Sequence, residues 1–150
     1  MGEDFNARKS AKQKTYRYSL YVDKTENPLK DRYATFLEKM PDLEKMKVAS
    51  QAFVGEHDFK CFNASGGGAK TTVRTIYSIE IKKEKDIEIF VTGNGFLYNM
   101  VRTLVGTLLS VGYGEKTEQD LINLINSGER KLCGRTLPAR GLCLVSVKYD

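Results

Sequence analysis

The strongest constraint on the fold is an apolar run at residues 94–111 that carries a single charged residue, Arg102. At about 100° per residue, the large apolar side chains of this run occupy one half of a helical wheel, as in a helix that packs against a core. They are Phe96, Leu97, Met100, Val101, Leu104, Val105, Leu108 and Val111. Arg102 falls near the middle of the opposite arc, beside Gly106, which has no side chain. The run therefore predicts a core-packed helix with one arginine that leaves the core face.

Two interpretations of Arg102 are open at this point. A guanidinium group beside a glycine can bind a carboxylate or a phosphate through two N–H groups at once. The alternative is an ordinary surface arginine on an amphipathic helix, which the same periodicity would produce. Periodicity does not distinguish the two, so other residues have to decide.

Length and charge limit the class of protein. The 150 residues are 41% hydrophobic, which suffices for one domain with a core and not for two. The formal net charge of +5 favours an anionic partner. Much of the excess lies in the segments 1–17 and 130–140, which contain Arg8, Lys9, Lys12, Lys14 and Arg17, and Arg130, Lys131, Arg135 and Arg140. Two basic segments around a globular middle suit a nucleic acid, although a solvated terminus and a solvated loop would give the same charge.

The cysteine pattern argues against a disulfide framework and against a metal site. Cys61, Cys133 and Cys143 are an odd number without Cys-x-x-Cys spacing, and His57 is the single histidine. No apolar stretch reaches transmembrane length uninterrupted, and the polar first residues lack the hydrophobic region of a signal peptide. We expect a cytoplasmic protein with no membrane contact and no metal.

Hydrophobic periodicity predicts the order of the elements. Residues 15–22 alternate as a strand, residues 41–55 have helical spacing, and residues 73–81 and 87–91 form a β-hairpin. The Arg102 helix follows, then a shorter helix near residues 118–126 and a final strand at residues 142–149. The order β, α, β, β, α, α, β predicts an α+β fold, an antiparallel β-sheet with helices packed on one face.

Two motifs imitate functional sites. Residues 64–71 resemble a phosphate loop, but alanine occupies both glycine positions and a strand follows, so we interpret them as a mobile loop. His57 and Asp58 suggest acid–base chemistry. Neighbouring residues seldom converge on one reacting atom, however, and we favour a helix-terminal histidine with a capping carboxylate.

Tyr16 and Arg102 remain as candidate site residues. Tyrosine can stack on a nucleobase and arginine can hold a phosphate or carboxylate, which together describe a nucleotide-handling surface. The alternative for Tyr16 is a core residue, because its strand parity places it with Tyr18 and Leu20. The residues alone leave both interpretations open.

Six segments resemble a known family. They are 4–8 (Asp-Phe-Asn-Ala-Arg), 14–18 (Lys-Thr-Tyr-Arg-Tyr), 55–59 (Gly-Glu-His-Asp-Phe), 73–76 (Val-Arg-Thr-Ile), 94–106, and 136–142 (Thr-Leu-Pro-Ala-Arg-Gly-Leu). In this order they resemble the tRNA pseudouridine synthase A family over nearly the whole chain. The most specific of them are residues 96–102 (Phe-Leu-Tyr-Asn-Met-Val-Arg) and the Tyr-Arg-Tyr strand.

The resemblance implies an enzyme that isomerises uridine to pseudouridine in the anticodon stem-loop of tRNA, as a homodimer and without metal or organic cofactor. In that family an aspartate attacks the target nucleotide, and the detached base turns and rejoins the ribose through carbon. Tyr16 matches the tyrosine that packs against the target base, and Arg102 matches the arginine that pairs with the aspartate. Arg8, Asn94 and Arg74 are the further residues that we expect to bind substrate.

The chain departs from the family at the nucleophile. In the family this aspartate lies in an Arg-Thr-Asp-Ala-Gly motif, and none of the aspartates here has that context: Asp4, Asp23, Asp31, Asp42, Asp58, Asp86, Asp120 and Asp150. The resemblance thus implies a C-terminal domain that lacks the nucleophile and does not turn over alone, with Arg102 facing an open cleft or a substitute anion. Smaller departures are Leu137, where the family pattern predicts a small residue, and Cys143, where it predicts an aromatic residue.

Two alternatives stay open beside the enzyme hypothesis. The first is a non-catalytic RNA-binding module that uses the sheet and the basic N-terminal arm. The second is a domain that chiefly mediates self-association.

Overall fold

The computed structural model describes residues 11–63 and 71–149. Arg8, the predicted RNA contact, lies outside these described residues. So do residues 64–70, which are nearly all of the segment interpreted as a glycine-rich loop. The strands are β1 (Ala11–Val22), β2 (Thr35–Leu37), β3 (Gly55–Asp58), β4 (Val73–Lys83), β5 (Ile87–Gly93) and β6 (Leu142–Tyr149). The α-helices of the described part are α1 (Leu43–Ser50), α2 (Met100–Gly112) and α3 (Glu118–Ser127).

Strand β1 is the centre of the sheet. One edge of β1 pairs antiparallel with β5. Strand β4 lies next to β5, and β3 lies next to β4 at the far edge of the sheet. The other edge of β1 pairs antiparallel with β6 and, over its last three residues, parallel with β2. The predicted α+β class is confirmed, whereas the prediction of a purely antiparallel sheet is wrong at the β1–β2 pair.

The parallel pair has a local cause. The connection between β1 and β2 is folded back by the Tyr21 hydroxyl, which donates to Asp31 Oδ1 at 2.6 Å and accepts from the Asn27 backbone N–H at 2.8 Å. Strand β2 therefore returns alongside β1 in the same direction. A three-residue strand has no periodicity of its own, and sequence patterning did not detect it.

Alternation along β1 places Tyr18 and Leu20 in the core, where both are fully buried. The predicted hairpin of β4 and β5 and the final strand β6 are confirmed. The pairing of β1 with β6 contains a bulge, because Thr15 lies opposite Ser146 while Tyr16 lies opposite Leu144. Val145 is thus the extra residue, which bends the strand locally.

Helix α2 differs from the sequence expectation in two ways. It begins at Met100 rather than near residue 96, because Asn99 adopts a left-handed conformation with φ of 62°. The arc opposite the apolar face is also buried, including Thr103, Gly106 and Thr107. These side chains are small or absent, so residues 134–137 can lie directly on this arc. Arg102 is half-buried at its edge.

Helix α1 is shorter than the predicted residues 41–55. The Asp42 side chain caps it by accepting from the Lys45 backbone N–H at 3.2 Å, and a 3₁₀ turn at Gln51–Phe53 follows the helix. The interpretation of His57 as helix-terminal is wrong, because His57 lies in β3. Gly55, with φ of 107°, carries the chain into that strand.

The core lies between one face of the sheet and the helices. Its largest fully buried side chains include Phe53, Phe59 and Phe62 beside Met46 of α1 and Leu104 of α2. The predicted helix near residues 118–126 is confirmed as α3, with a capping box at Thr117 and Asp120 and a left-handed Gly128 at its end. In the described part of the chain, no helix has the length and apolar character needed to cross a membrane.

Candidate functional site

A cavity of about 350 Å³ opens between β1, the start of α2 and the 3₁₀ turn Ala139–Gly141. Its lining consists of Tyr16, Phe96, Leu97, Tyr98, Asn99, Met100, Val101, Arg102, Ala139 and Leu142. The two candidate residues Tyr16 and Arg102 therefore share one cavity, although they lie on different elements. The lining is apolar except for a few polar groups, as in many pockets that bind small organic groups.

Two hydrogen bonds fix the Arg102 guanidinium. Its Nε donates to the Leu137 carbonyl oxygen at 2.7 Å, and its Nη1 donates to Asn99 Oδ1 at 2.7 Å. A guanidinium has five N–H groups, so these bonds leave three, including both on Nη2. Among the described residues, no hydrogen-bond acceptor is paired with Nη2. Arg102 is held in one orientation while it retains donors for an anion in the cavity.

Asn99 is placed to orient Arg102. It lies immediately before α2 in the left-handed conformation, which asparagine tolerates better than most residues with a side chain. Its side chain makes no capping bond to the helix backbone and instead binds Arg102, three residues later. The backbone conformation and the side-chain contact thus act together on the guanidinium.

The Leu137 carbonyl is fixed by the contact between α2 and residues 134–137. The Leu137 backbone N–H donates to the Arg102 carbonyl oxygen at 3.3 Å, and the hydroxyls of Thr103 and Thr136 share a hydrogen bond of 2.6 Å. The oxygen that accepts from Arg102 Nε is therefore part of an ordered backbone segment.

One helical turn further along α2, the same segment lies against the helix backbone. A Cβ atom added to Gly106 would overlap the Arg135 carbonyl oxygen. The Gly134 N–H donates to Thr107 Oγ1 at 2.9 Å, and a Cβ on Gly134 would lie 2.7 Å from the Gly106 carbonyl oxygen. The backbones approach this closely because neither glycine has a side chain.

Aromatic rings form the other side of the cavity. The half-buried Tyr16 ring meets Phe96 edge to face, with ring centroids 5.2 Å apart and an interplanar angle of 89°. Tyr98 is 61% exposed beside them. The cavity thus combines an aromatic surface suited to a planar base with a cation suited to an anion.

Tyr18 lies behind the cavity and supports the turn that borders it. Its hydroxyl donates to the Pro138 carbonyl oxygen at 2.6 Å and shares a hydrogen bond of 2.7 Å with the Thr35 hydroxyl. Burial raises the pKa of the Tyr18 phenol above its ordinary value, and the Thr35 hydrogen bond and the Arg102 charge oppose this. Tyr18 is therefore a neutral structural anchor.

Asn94 and Arg74 lie near the end of the β4–β5 hairpin and are not among the residues that line the cavity. Asn94 bridges the strands, since its Oδ1 accepts from the Thr75 N–H and its own N–H donates to the Thr75 carbonyl oxygen, each at 2.9 Å. Arg74 Nη1 donates to the Thr71 and Val73 carbonyl oxygens at 2.8 and 2.7 Å. Their substrate contacts stay predictions.

Sequence reasoning missed Asn99, Phe96 and the Leu137 carbonyl as parts of the site. Asn99 had a usable signal, because residues three apart are neighbours on a helix surface. The Leu137 carbonyl had none, since every residue has a backbone oxygen and only the tertiary contact positions it.

Comparison with known proteins identifies the family. Residues 49–150 match the family model described as tRNA pseudouridine synthase. The chain is 44% identical over 150 residues to tRNA pseudouridine synthase A of Syntrophotalea carbinolica, an alignment that covers 99% of this chain and 60% of that protein. It is 46% identical over 151 residues to tRNA pseudouridine synthase A 2 of Clostridium perfringens, covering 99% of this chain and 62% of that protein. The chain thus spans about three fifths of the length of these relatives, and it belongs to the tRNA pseudouridine synthase family.

Proposed function

We propose that the intact protein isomerises uridine to pseudouridine in the anticodon stem-loop of tRNA, in the cytoplasm. In this proposal the present chain supplies the tyrosine that stacks on the base and the arginine that pairs with the catalytic aspartate. The observation that carries the proposal is the shared cavity, in which Tyr16 and an oriented Arg102 with remaining donors face the same space.

The reaction neither adds nor removes atoms overall. The bond between the ribose and the base nitrogen breaks, a bond from the ribose to C5 of the base forms, and the proton on C5 leaves while the nitrogen gains one. A carboxylate nucleophile from a part of the protein outside this chain starts the reaction. Arg102 keeps that carboxylate ionised and oriented, and Tyr16 receives the base after it leaves the stack. No metal or organic cofactor takes part.

The tRNA backbone is bound by basic side chains near the cavity. Arg140 is exposed on the turn whose Ala139 lines the cavity, and Arg135 is exposed on the neighbouring segment. Contacts of this kind are sequence-independent and weaken steeply with salt. The specificity of the reaction then depends on the base that reaches Tyr16.

We also propose that the intact enzyme is a homodimer. The exposed apolar residues Leu144 and Val145 of β6, which are 47% and 41% exposed, support this strand as the edge at which two copies associate. Light scattering of the intact protein that shows a monomer at high concentration would contradict this part of the proposal.

The central test is the Arg102→Lys substitution in the full-length enzyme. Lysine retains the charge, but its compact ammonium group cannot reproduce the planar fork with which Arg102 binds Asn99, the Leu137 carbonyl and a carboxylate. We expect the single-turnover rate of tritium release from C5 of labelled uridine in tRNA to fall on the order of 100-fold, equivalent to about 3 kcal/mol of charge-assisted hydrogen bonding. Binding of tRNA should change little.

Arg32→Lys is the matched control, because Arg32 is exposed on the 3₁₀ turn Lys30–Arg32 and does not line the cavity. It should leave both the rate and the binding constant unchanged. Equal losses of rate and of binding in Arg102→Lys would show that Arg102 is a plain phosphate contact, which would refute its role beside the nucleophile.

The role of Tyr16 is tested by a pair of substitutions. Tyr16→Phe preserves the ring that packs on Phe96 and should retain the rate within about threefold. Tyr16→Leu removes the stacking surface and should reduce kcat/KM roughly tenfold or more, from about 1–3 kcal/mol of base stacking. A full loss of activity in Tyr16→Phe would show that the hydroxyl, not the ring, is required.

A further inference from the structure

Cys61 and Cys133 are brought together by two adjoining 3₁₀ turns, Lys60–Phe62 and Arg130–Leu132. The Cys133 thiol donates to the Cys61 carbonyl oxygen, with Sγ and oxygen 3.1 Å apart. A second bond joins the turns, because Arg130 Nη1 donates to the Asn63 carbonyl oxygen at 3.2 Å. Both cysteines are free. The structure thus holds two free cysteines next to each other on adjoining turns.

The two thiols have different access to small molecules. Cys61 is fully buried, whereas Cys133 lines a second cavity of about 400 Å³ that shares no lining residue with the first. Lys116 and Arg135 also line this second cavity, together with the single carboxylate of Glu115, so positive charge is in excess. A small molecule with carboxylate groups can therefore approach Cys133 through this cavity, whereas Cys61 does not line it.

The charge environment separates the thiols in the same way. The hydrogen bond from Cys61 lowers the pKa of the Cys133 thiol, and the positive charges of Arg130 and Lys116 act in the same direction. The same contact with Cys133, together with burial, raises the pKa of the Cys61 thiol. Cys133 is thus the thiol of the pair that ionises more readily, although burial opposes this, and it is the thiolate form that attacks disulfides. Once Cys133 is bonded to the small molecule, its contact no longer raises the pKa of Cys61, whereas burial still does.

We propose that Cys61 and Cys133 are a disulfide-exchange site for low-molecular-weight anionic disulfides, with Cys133 as the attacking thiol and Cys61 as the resolving thiol. The Cys133 thiolate attacks one sulfur of the small disulfide, which forms a mixed disulfide and releases one small thiolate. Cys61 then loses its proton and attacks Cys133 Sγ, which forms the Cys61–Cys133 disulfide and releases the second thiol. The two cysteines are oxidised and the small disulfide is reduced to two thiols.

The site adjoins the segment that supports Arg102. Cys133 directly precedes residues 134–137, which carry the carbonyl group that accepts from Arg102 Nε. A disulfide would tie the start of this segment to the turn at Cys61 by a covalent bond. The exchange chemistry itself does not depend on the proposed RNA activity.

The test is exchange of the intact, reduced protein with oxidised glutathione. Aliquots are quenched with N-ethylmaleimide, digested, and analysed by peptide mass spectrometry. We expect glutathione on Cys133 first, followed by conversion to a peptide pair joined through Cys61 and Cys133. The exposed Cys143 is the internal reference thiol. Glutathione on Cys143 alone, with Cys61 and Cys133 both alkylated after unfolding, would overturn the proposal.

Two variants separate exchange from a structural role. Cys61→Ala should stop the reaction at the mixed disulfide on Cys133, and the midpoint of its pH–rate profile should move upward because the hydrogen bond that stabilises the thiolate is lost. Cys133→Ser should lose both steps. An unchanged midpoint in Cys61→Ala, or a mixed disulfide on Cys61 in Cys133→Ser, would refute the assigned roles.

Discussion

The contact between α2 and residues 134–137 has two ends that are built differently. Around Gly106 and Gly134 the backbones touch directly, because side chains are absent. Around Arg102 the contact is made by a long charged side chain and a carbonyl oxygen at 2.7 Å, beside an open cavity. The first end fixes how far the segment lies from the helix. The second end fixes the direction of one functional group, which is possible because the first holds the segment still.

The difference predicts that substitutions at the glycine end lower the stability of the fold, while substitutions at the arginine end lower activity at nearly constant stability. Three experiments on the full-length protein test this contrast.

The largest effect is expected for Gly106→Ala. Alanine favours helix formation by about 1 kcal/mol over glycine, but here its Cβ would overlap the Arg135 carbonyl oxygen, which belongs to backbone and cannot rotate away. We expect a net loss of about 3 kcal/mol in the free energy of unfolding, measured by chemical denaturation. Gly95→Ala is the control, since its Cβ would meet only Arg74 side-chain atoms at 3.6 Å. Equal stabilities of the two variants would mean that the close approach is not rigid.

A smaller loss is expected for Thr107→Val, which keeps the shape of the buried side chain. The Gly134 N–H then has no acceptor in place of Thr107 Oγ1, and we expect a loss of about 2 kcal/mol in unfolding free energy. Ser110→Ala removes a hydroxyl from the same helix without leaving a buried donor unpaired, and should cost about 0.5 kcal/mol. A similar cost for both variants would show that the Gly134 bond does not anchor the segment.

The smallest change in stability, with a clear change in rate, is expected at Asn99. Asn99→Gly suits the left-handed conformation but loses the bond to Arg102, so stability should stay within about 0.5 kcal/mol while the single-turnover rate falls roughly tenfold. Asn99→Ala should lose the same activity and in addition about 1 kcal/mol of stability. If Asn99→Gly retains full activity, Asn99 does not position Arg102.

The sequence predicted the elements that have long regular patterns. The strand around Tyr18 and Leu20, the β4–β5 hairpin, α3 and β6 follow from alternation, helical spacing and a glycine stop. Strands β2 and β3 were not predicted, because three or four residues contain too little periodicity to separate a strand from a loop. The assignment of His57 to a helix end failed for the same reason.

The sequence predicted the side chains of the candidate site but not the groups that hold those side chains in place. Tyr16 and Arg102 have chemistry that is visible in the sequence, and the structure places them in one cavity. Their supports are a backbone oxygen of Leu137 and the left-handed backbone of Asn99. The helical wheel of α2 also predicted an arc that faces solvent. The sequence alone does not show that the small residues Thr103, Gly106 and Thr107 make room on this arc for another segment.

The bulge at Val145 changes which residues of β6 share a face of the sheet with Tyr16 and Tyr18. On one side of it Leu142 and Leu144 share the face of Tyr18 and Tyr16, and on the other side Val147 pairs with Lys14. If Val145 paired regularly with Thr15, Ser146 would take the place of Val147 opposite Lys14, and the odd and even positions beyond Leu144 would exchange faces. The bulge therefore offsets the alternation of β6 by one residue. As a result Leu142, Leu144 and Val147 all lie on the same face of the sheet as Tyr16. Deletion of Val145 would remove the bulge and leave Ser146 opposite Thr15 and Val147 opposite Lys14, so the faces of the strand would be preserved.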